Sequence, residues 1–212
     1  MSRFNKNDPY FRKAKREGFA ARSIYKLEEI DARLNILRKG NAVLDLGCAP
    51  GSWLQYAARK VGPNGVVVGV DLTAVKIKLP AHAHALQQDM YELDLEALRE
   101  YAPRFDVILS DAAPKTTGIP FADQARSIEL VRHSLHICSK LLKRNGRWVA
   151  KVFQGEDLPA LQTEARARFS AVKMQKPKSS RDHSVEVFLV GTGYRPEDRD
   201  QARDESDDTK AE

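Results

Sequence analysis

Two charged residues stand where apolar strands leave little room for them. Lys151 interrupts the run Trp148-Val149-Ala150-Lys151-Val152-Phe153, and Glu186 sits between Val185 and Val187 in the last apolar segment. An ammonium or a carboxylate in such a run is costly unless it meets an opposite charge, so the simplest account of both is one shared polar site. A neutral lysine there can accept a proton. A charged one can orient a hydroxyl and stabilise negative charge developing on oxygen. Nearby carboxylates favour the charged form, burial and a second cation favour the neutral form, and the pattern allows either role.

A second constellation is Val43-Leu44-Asp45-Leu46-Gly47-Cys48-Ala49-Pro50-Gly51-Ser52-Trp53. An apolar run ending in an acid, then two glycines four apart, then helix-forming sequence reads as a strand, a tight turn and a helix start. Glycine lets a backbone approach a ligand closely, and the helix that follows offers unpaired N–H groups. The spacing is D-x-G-x-x-x-G, not the dinucleotide pattern G-x-G-x-x-G, which disfavours a pyrophosphate. The acid and the missing third glycine suit a cationic, phosphate-free nucleoside such as S-adenosylmethionine. Asp71 ends the next β-branched run 20 residues beyond Gly51, the distance at which an acid can accept from ribose hydroxyls. Asp89 follows a third short apolar segment and could meet an adenine amine, and Asp111 follows a fourth.

The elements that must position these residues alternate between the two periodicities. Ile24, Leu27, Ile30 and Leu34 recur at helical spacing over 19–34, with Lys26 among them; a lone lysine on such a helix is ordinarily a solvated one. Helices are predicted over 53–60, 93–101, 122–142 and 157–169, and strands over 43–46, 66–70, 105–109, 147–153, 171–174 and 184–191. Asn145-Gly146 reads as a break. His82 and His84 alternate in a loosely patterned stretch, but no third ligand is near, so no metal is expected. Strand–helix alternation implies an open α/β sheet, and ligands of such sheets gather at the carboxyl ends of the strands. Asp45, Asp71, Asp89 and Asp111 should therefore converge on one rim.

At 212 residues the chain suffices for one well-buried domain. It has no apolar run long enough to span a bilayer and no signal-peptide h-region, so a cytoplasmic protein without membrane association is expected. Cys48 and Cys138 are too few for a disulfide framework and read as small buried hydrophobes. The net charge is +6, but 197–212 holds eight acids against three bases, so the rest of the chain carries +11. Such a body favours phosphate-rich partners. In the arm 1–18, Arg12, Lys13, Lys15 and Arg16 are interleaved with Phe4, Tyr10 and Phe11, a combination suited to RNA, although a merely solvated terminus has the same composition. The predicted organisation is this arm, a domain over 19–194, and an acidic disordered tail over 195–212.

Taken jointly, the segments DPYFRKAKREGF, ARSIYKLEEID, VLDLGCAPGSW, ILSDAAP, VAKVFQGE and KPKSSRDHSVEVFLV resemble the FtsJ/RrmJ (RlmE-type) family of S-adenosylmethionine-dependent ribose 2′-O-methyltransferases, over about residues 8 to 194. The resemblance implies a Rossmann-like α/β fold: a seven-stranded, mostly parallel sheet with helices on both faces and an antiparallel last strand. It implies a catalytic tetrad at Lys26, Asp111, Lys151 and Glu186. Cofactor contacts are expected at Asp45, Gly47, Gly51, Trp53, Asp71, Asp89 and Asp111. The implied reaction is methyl transfer to a ribose 2′-hydroxyl, expected at a uridine of 23S ribosomal RNA within the large subunit, by a monomer. Two segments depart from the family wording, TAVKIKLPAHAHA after Asp71 and KTTG after Asp-Ala-Ala-Pro, and both bear on the target nucleotide. The alternatives among enzymes are an S-adenosylmethionine-dependent methyltransferase of protein or a small molecule, for which the basic aromatic N-terminus has no obvious use, and a 2′-O-methyltransferase of a different RNA; a non-catalytic RNA-binding or ribosome-assembly factor is the alternative outside them.

Overall fold

Seven segments pair into one sheet in the computed structural model, which describes residues 8–181 and 183–196. The strands are β1 (Ala42–Leu46), β2 (Val66–Asp71), β3 (Ala83–Gln87), β4 (Phe105–Ser110), β5 (Leu142–Phe153), β6 (Phe169–Gln175) and β7 (Glu186–Tyr194). Their order is β3-β2-β1-β4-β5-β7-β6, with β7 antiparallel to both neighbours and every other pair parallel. The helices are α1 (Pro9–Arg16), α2 (Ile24–Leu34), α3 (Ser52–Val61), α4 (Leu95–Arg99), α5 (Pro120–Leu141) and α6 (Leu158–Arg168).

Strand alternation sorts the core into two layers. Val43, Val67, Val107, Leu109, Val149, Phe188 and Val190 face α2 and α3, against Ile24, Leu27, Ile30, Leu54 and Ala57. Leu44, Leu46, Val68, Ile108, Trp148, Ala150 and Leu189 face the other way, against Leu98, Ile128, Val131, Leu135 and Leu161 from α4, α5 and α6. Both cysteines are buried apolar residues.

Three sequence expectations are corrected. The break at Asn145-Gly146 is a distortion inside one long strand: Asn145 takes φ 63° and the β4–β5 register shifts, yet pairing continues on both sides. The helix predicted from Phe19 begins only at Ile24. The basic arm is not simply solvated, because α1 is a docked helix. Asp8 caps it by accepting from the N–H groups of Tyr10 and Phe11, Pro9 pre-sets its first turn, and Ala14 is buried against the α2 layer. Residues 1–7, with Phe4, and the acidic stretch 197–212 lie outside the described residues. Within the segment read as tail, the Arg195 guanidinium donates to the carbonyls of Arg166 and Phe169, each at 3.0 Å.

Candidate active site

Period-two alternation carries the chemistry onto one face. Val149 and Lys151 on β5, and Phe188 and Glu186 on β7, point toward α2, and Phe153 pairs with Glu186 while Lys151 pairs with Phe188. Glu186 is thus the diagonal neighbour of Lys151. Asp111 follows β4, its backbone N–H held by the Leu46 carbonyl at 3.2 Å. Lys26 comes across from α2. The four residues form two ion pairs, Lys26 with Glu186 and Lys151 with Asp111. Lys151 is only 8% exposed; its Nζ donates to the Asp111 carbonyl at 2.6 Å and lies 2.9 Å from Oδ1. Burial opposes ionisation of Glu186, but the ammoniums of Lys26 and Lys151 outweigh it and hold the carboxyl below the usual carboxylate range. A cation that is paired, nearly dry and anchored on rigid strands can present its remaining donors to an oxygen, or give up a proton to its surroundings.

On one side Asp111 opens into a cleft of about 360 Å³ that Gly47, Asp71 and Asp89 also line, so four of the expected cofactor residues meet there. Gly47 has φ 73°, and a Cβ on it would lie 2.6 Å from the Ala112 Cα, so only glycine lets the turn pass this close. Asp71 Oδ2 accepts from the Ala49 N–H at 2.9 Å and Oδ1 from the Thr73 N–H at 2.7 Å, which fixes its carboxylate and leaves lone pairs over. Asp89 Oδ1 accepts from the Tyr91 N–H, while Gln88 lines the cleft and its buried Oε1 meets no protein donor. Leu72 and Tyr91 are 65% and 52% exposed and give the cleft an apolar wall. Three acids suit a cationic ligand, the apolar wall suits a purine, and the Gln88 acceptor suits an amine. This donor set fits S-adenosylmethionine.

Asp45, Gly51 and Trp53, expected to touch the cofactor, do not line this cleft. Asp45 shares Val43's face of β1 and is fully buried, so alternation turns it into the molecule, where neither carboxyl oxygen meets a protein donor. Burial and the charges of Asp111 and Asp71 push its pKa well up. Gly51 begins α3 at φ 110°, with Ile77 and Val75 packed where a Cβ would go. Trp53 is a core residue. Its Nε1 donates to the Ser23 carbonyl at 2.9 Å while Ser52 and Ser23 share a hydroxyl hydrogen bond, so the motif's end anchors the start of α2 and with it Lys26. Of the basic residues on α1, Arg12, Lys15 and Arg16 are exposed, whereas Lys13 lies over the Tyr25 ring and pairs with Glu17. His82 contacts the Ala58 carbonyl and His84 the Tyr101 ring, and no metal-binding cluster occurs among the described residues.

On the other side Lys26 and Glu186 open into a second cleft of about 220 Å³, completed by Arg22, Ser23, Arg181 and Ser184. The two arginines were not singled out from sequence. Arg22 lies two residues before the start of α2 and Arg181 belongs to the basic loop before β7, 159 positions apart in the chain, and nothing local marks them as neighbours.

The FtsJ-like methyltransferase family model matches residues 19–194. Ribosomal RNA large subunit methyltransferase E of Bdellovibrio bacteriovorus is 47% identical over 191 residues, covering 89% of this chain and 97% of the relative. The enzyme of the same name from Desulfosudis oleivorans is 48% identical over 184 residues, covering 87% and 89%. Among solved structures, a Plasmodium falciparum protein described as a ribosomal RNA methyltransferase superposes with a TM-score of 0.74 at 27% identity, over 84% of this chain and all of that one. With its sheet order, its acidic nucleoside cleft and a match spanning nearly all of the described residues, the chain belongs to the FtsJ-like methyltransferase family, whose members use S-adenosylmethionine.

Proposed function

We propose that the protein methylates the 2′-hydroxyl of a ribose in large-subunit (23S) ribosomal RNA, at a uridine, acting on the large subunit as a monomer in the cytoplasm. The observation that carries this reading is the position of the two ion pairs. Asp111 lines the cofactor cleft, Lys26 and Glu186 line the second cleft, and Lys151 is packed beside Asp111. A nucleotide in the second cleft would bring its hydroxyl to lysines held between the clefts. The names of the relatives supply the substrate class, and the basic body supplies affinity for it.

S-adenosylmethionine supplies a methyl group on a positively charged sulfur. This chain's residues do the rest. Asp71 and Asp89 orient the nucleoside, Asp111 fixes Lys151, and Glu186 fixes Lys26. A neutral Lys151 would accept the hydroxyl's hydrogen bond and take its proton; a charged Lys151 would instead donate to the hydroxyl oxygen while the proton leaves to solvent, and in either case Lys26 adds positive charge beside the developing oxyanion. Alignment of the reacting groups in so rigid a setting can lower the barrier by roughly 7–11 kcal/mol at most. The test is a map of ribose methylation over the large-subunit ribosomal RNA of a deletion strain. One position should lose its methyl group and regain it on complementation; an unchanged map would refute the substrate assignment.

A further inference from the structure

Of the exposed large apolar side chains among the described residues, Leu72 and Tyr91 wall the cofactor cleft, whereas Ile119 and Phe121, 61% and 69% exposed, line neither cleft. A phenyl ring left in water forgoes the stabilisation of burial, yet the fold braces this one where it is. Asp123, itself buried, accepts from the Thr117 N–H and hydroxyl at 2.7 and 2.8 Å and from the Gly118 N–H at 3.1 Å. The Ile119 carbonyl accepts from the Asp123 N–H at 3.0 Å, and Pro120 pre-sets the first turn of α5. The step from Ile119 to Phe121 is therefore a held turn. Its place follows from the next turn of the helix. Ser127 Oγ accepts from the Phe153 N–H at 3.0 Å, and Gln124 packs on Gly155 so closely that a Cβ there would lie 2.4 Å from its side chain. The start of α5 thus stands against the end of β5, just beyond Lys151, and Ala112 and Ala113 of the same β4–α5 connection line the cofactor cleft. Lys115 and Arg126, both exposed, flank the step, and the Arg126 guanidinium donates to the Lys115 carbonyl at 3.5 Å. A second copy of this chain would bring like charge to like, because residues 1–196 carry +11, whereas RNA brings the opposite charge. A rigid aromatic face with cations beside it is the arrangement that takes an unstacked nucleobase.

We propose that Phe121 is a stacking platform for an RNA base flanking the target nucleotide, with Ile119 packed beside that base and Lys115 and Arg126 attracting its phosphates. The proposal rests on the reading of the protein as an RNA 2′-O-methyltransferase and adds the surface that receives the neighbouring nucleotide. The RNA then crosses the end of β5, with the stacked base on the α5 side and the target ribose at the second cleft on the α2 side. Every base has a π face, so the platform contributes affinity and register without choosing sequence. Asp123 and Pro120 already brace the turn, so little conformational freedom is lost when the base arrives.

The test uses the full chain, large ribosomal subunits from a strain lacking the enzyme, and protein-free ribosomal RNA extracted from them. Dissociation constants for both are measured by filter binding, S-adenosylmethionine affinity by calorimetry, and stability by thermal melting. Phe121→Ala should weaken binding to subunits and to protein-free RNA about tenfold, the loss expected for one stacked base. Its Tm and cofactor affinity should not move, because the ring is exposed and lines neither cleft. Phe121→Tyr should bind within about twofold of wild type, whereas Phe121→Leu, apolar but without a π face, should be nearly as weak as Phe121→Ala. In Phe121→Trp the added indole is the exposed one, since Trp53 and Trp148 are buried, and RNA should quench its emission. Wild-type affinity in Phe121→Ala or Phe121→Leu, or unquenched emission in Phe121→Trp, would overturn the stack while leaving the methyltransferase reading intact. A loss confined to subunits, with protein-free RNA bound equally by wild type and Phe121→Ala, would assign the step to a ribosomal protein and overturn the proposal. Wild-type protein that methylates no subunit would refute the underlying reading and this one with it.

Discussion

Replacing Glu186 by glutamine removes one charge from the heart of the site and keeps its volume. Lys26 loses its ion partner, and Lys151 loses a carboxylate two positions away on the facing strand. The side chains of Lys26 and Glu186 keep only 13% and 14% exposure, so solvent replaces little of what is lost. Breaking a buried pair by removing one partner costs about 3–5 kcal/mol, and the remaining exposure puts this pair at about 3 kcal/mol. For a domain of this size that corresponds to a fall in Tm of roughly 6–12 °C. The pH dependence has a definite sign. The folded carboxyl titrates below the unfolded one, so its contribution is fully present above the unfolded value near ~4.3 and is lost as pH falls through the lower folded value. Melting wild type and Glu186→Gln in parallel should show a constant gap from pH 7 down to about 5, closing in more acid solution. Equal melting at pH 7, or a gap that persists unchanged at low pH, would refute the pairing.

Other substitutions probe the rest of the site. Asp71→Asn should weaken S-adenosylmethionine binding tenfold or more, roughly the worth of a hydrogen bond to a charged group, and calorimetry showing unchanged affinity would contradict its role. Gly47→Ala forces a Cβ against Ala112 at a positive φ, so the protein should lose both stability and cofactor binding; a variant that melts and binds like wild type would mean the turn can move aside. Asp45→Asn should raise the melting temperature of the ligand-free protein at neutral pH, because burial disfavours the charged carboxyl. The gain should shrink as pH falls toward the carboxylate range, and a destabilised variant would show that the charge is compensated. Neutralising Arg12, Lys15 and Arg16 together should flatten the salt dependence of RNA binding without moving cofactor affinity, whereas an unchanged slope would remove α1 from the RNA contact.

Much of this site was legible because strands have a period of two. Lys151 and Glu186 were conspicuous as charges in apolar runs, and the same alternation that makes them conspicuous turns both toward α2. The acids at strand ends were legible for a related reason, since parallel strands deliver their carboxyl ends to one rim. Asp45 and Trp53 drew notice in the sequence because they flank the glycines of the motif. Alternation sends Asp45 inward, and the first turn of α3 sends Trp53 to the base of α2. The docked α1 was missed although its cap was spelled out in Asp8-Pro9, because basic composition drew attention from local capping. The Arg22–Arg181 cleft had no local signature. It exists only after β7 inserts antiparallel between β5 and β6 and Glu29 ties down the preceding loop.

The central claim is that Lys151 acts on the ribose hydroxyl from between two clefts, and it is tested most directly by single-turnover transfer of labelled methyl from S-adenosylmethionine to unmethylated large subunits. Lys151→Ala should bind cofactor and subunit near wild-type levels, retain its fold with some loss of stability from the unpaired Asp111, and transfer no measurable methyl. Lys151→Arg keeps the charge but cannot become neutral near pH 7, so residual transfer would identify an electrostatic role and complete loss a proton-accepting one. A folded, cofactor-binding Lys151→Ala protein that transfers methyl at the wild-type rate would contradict the account.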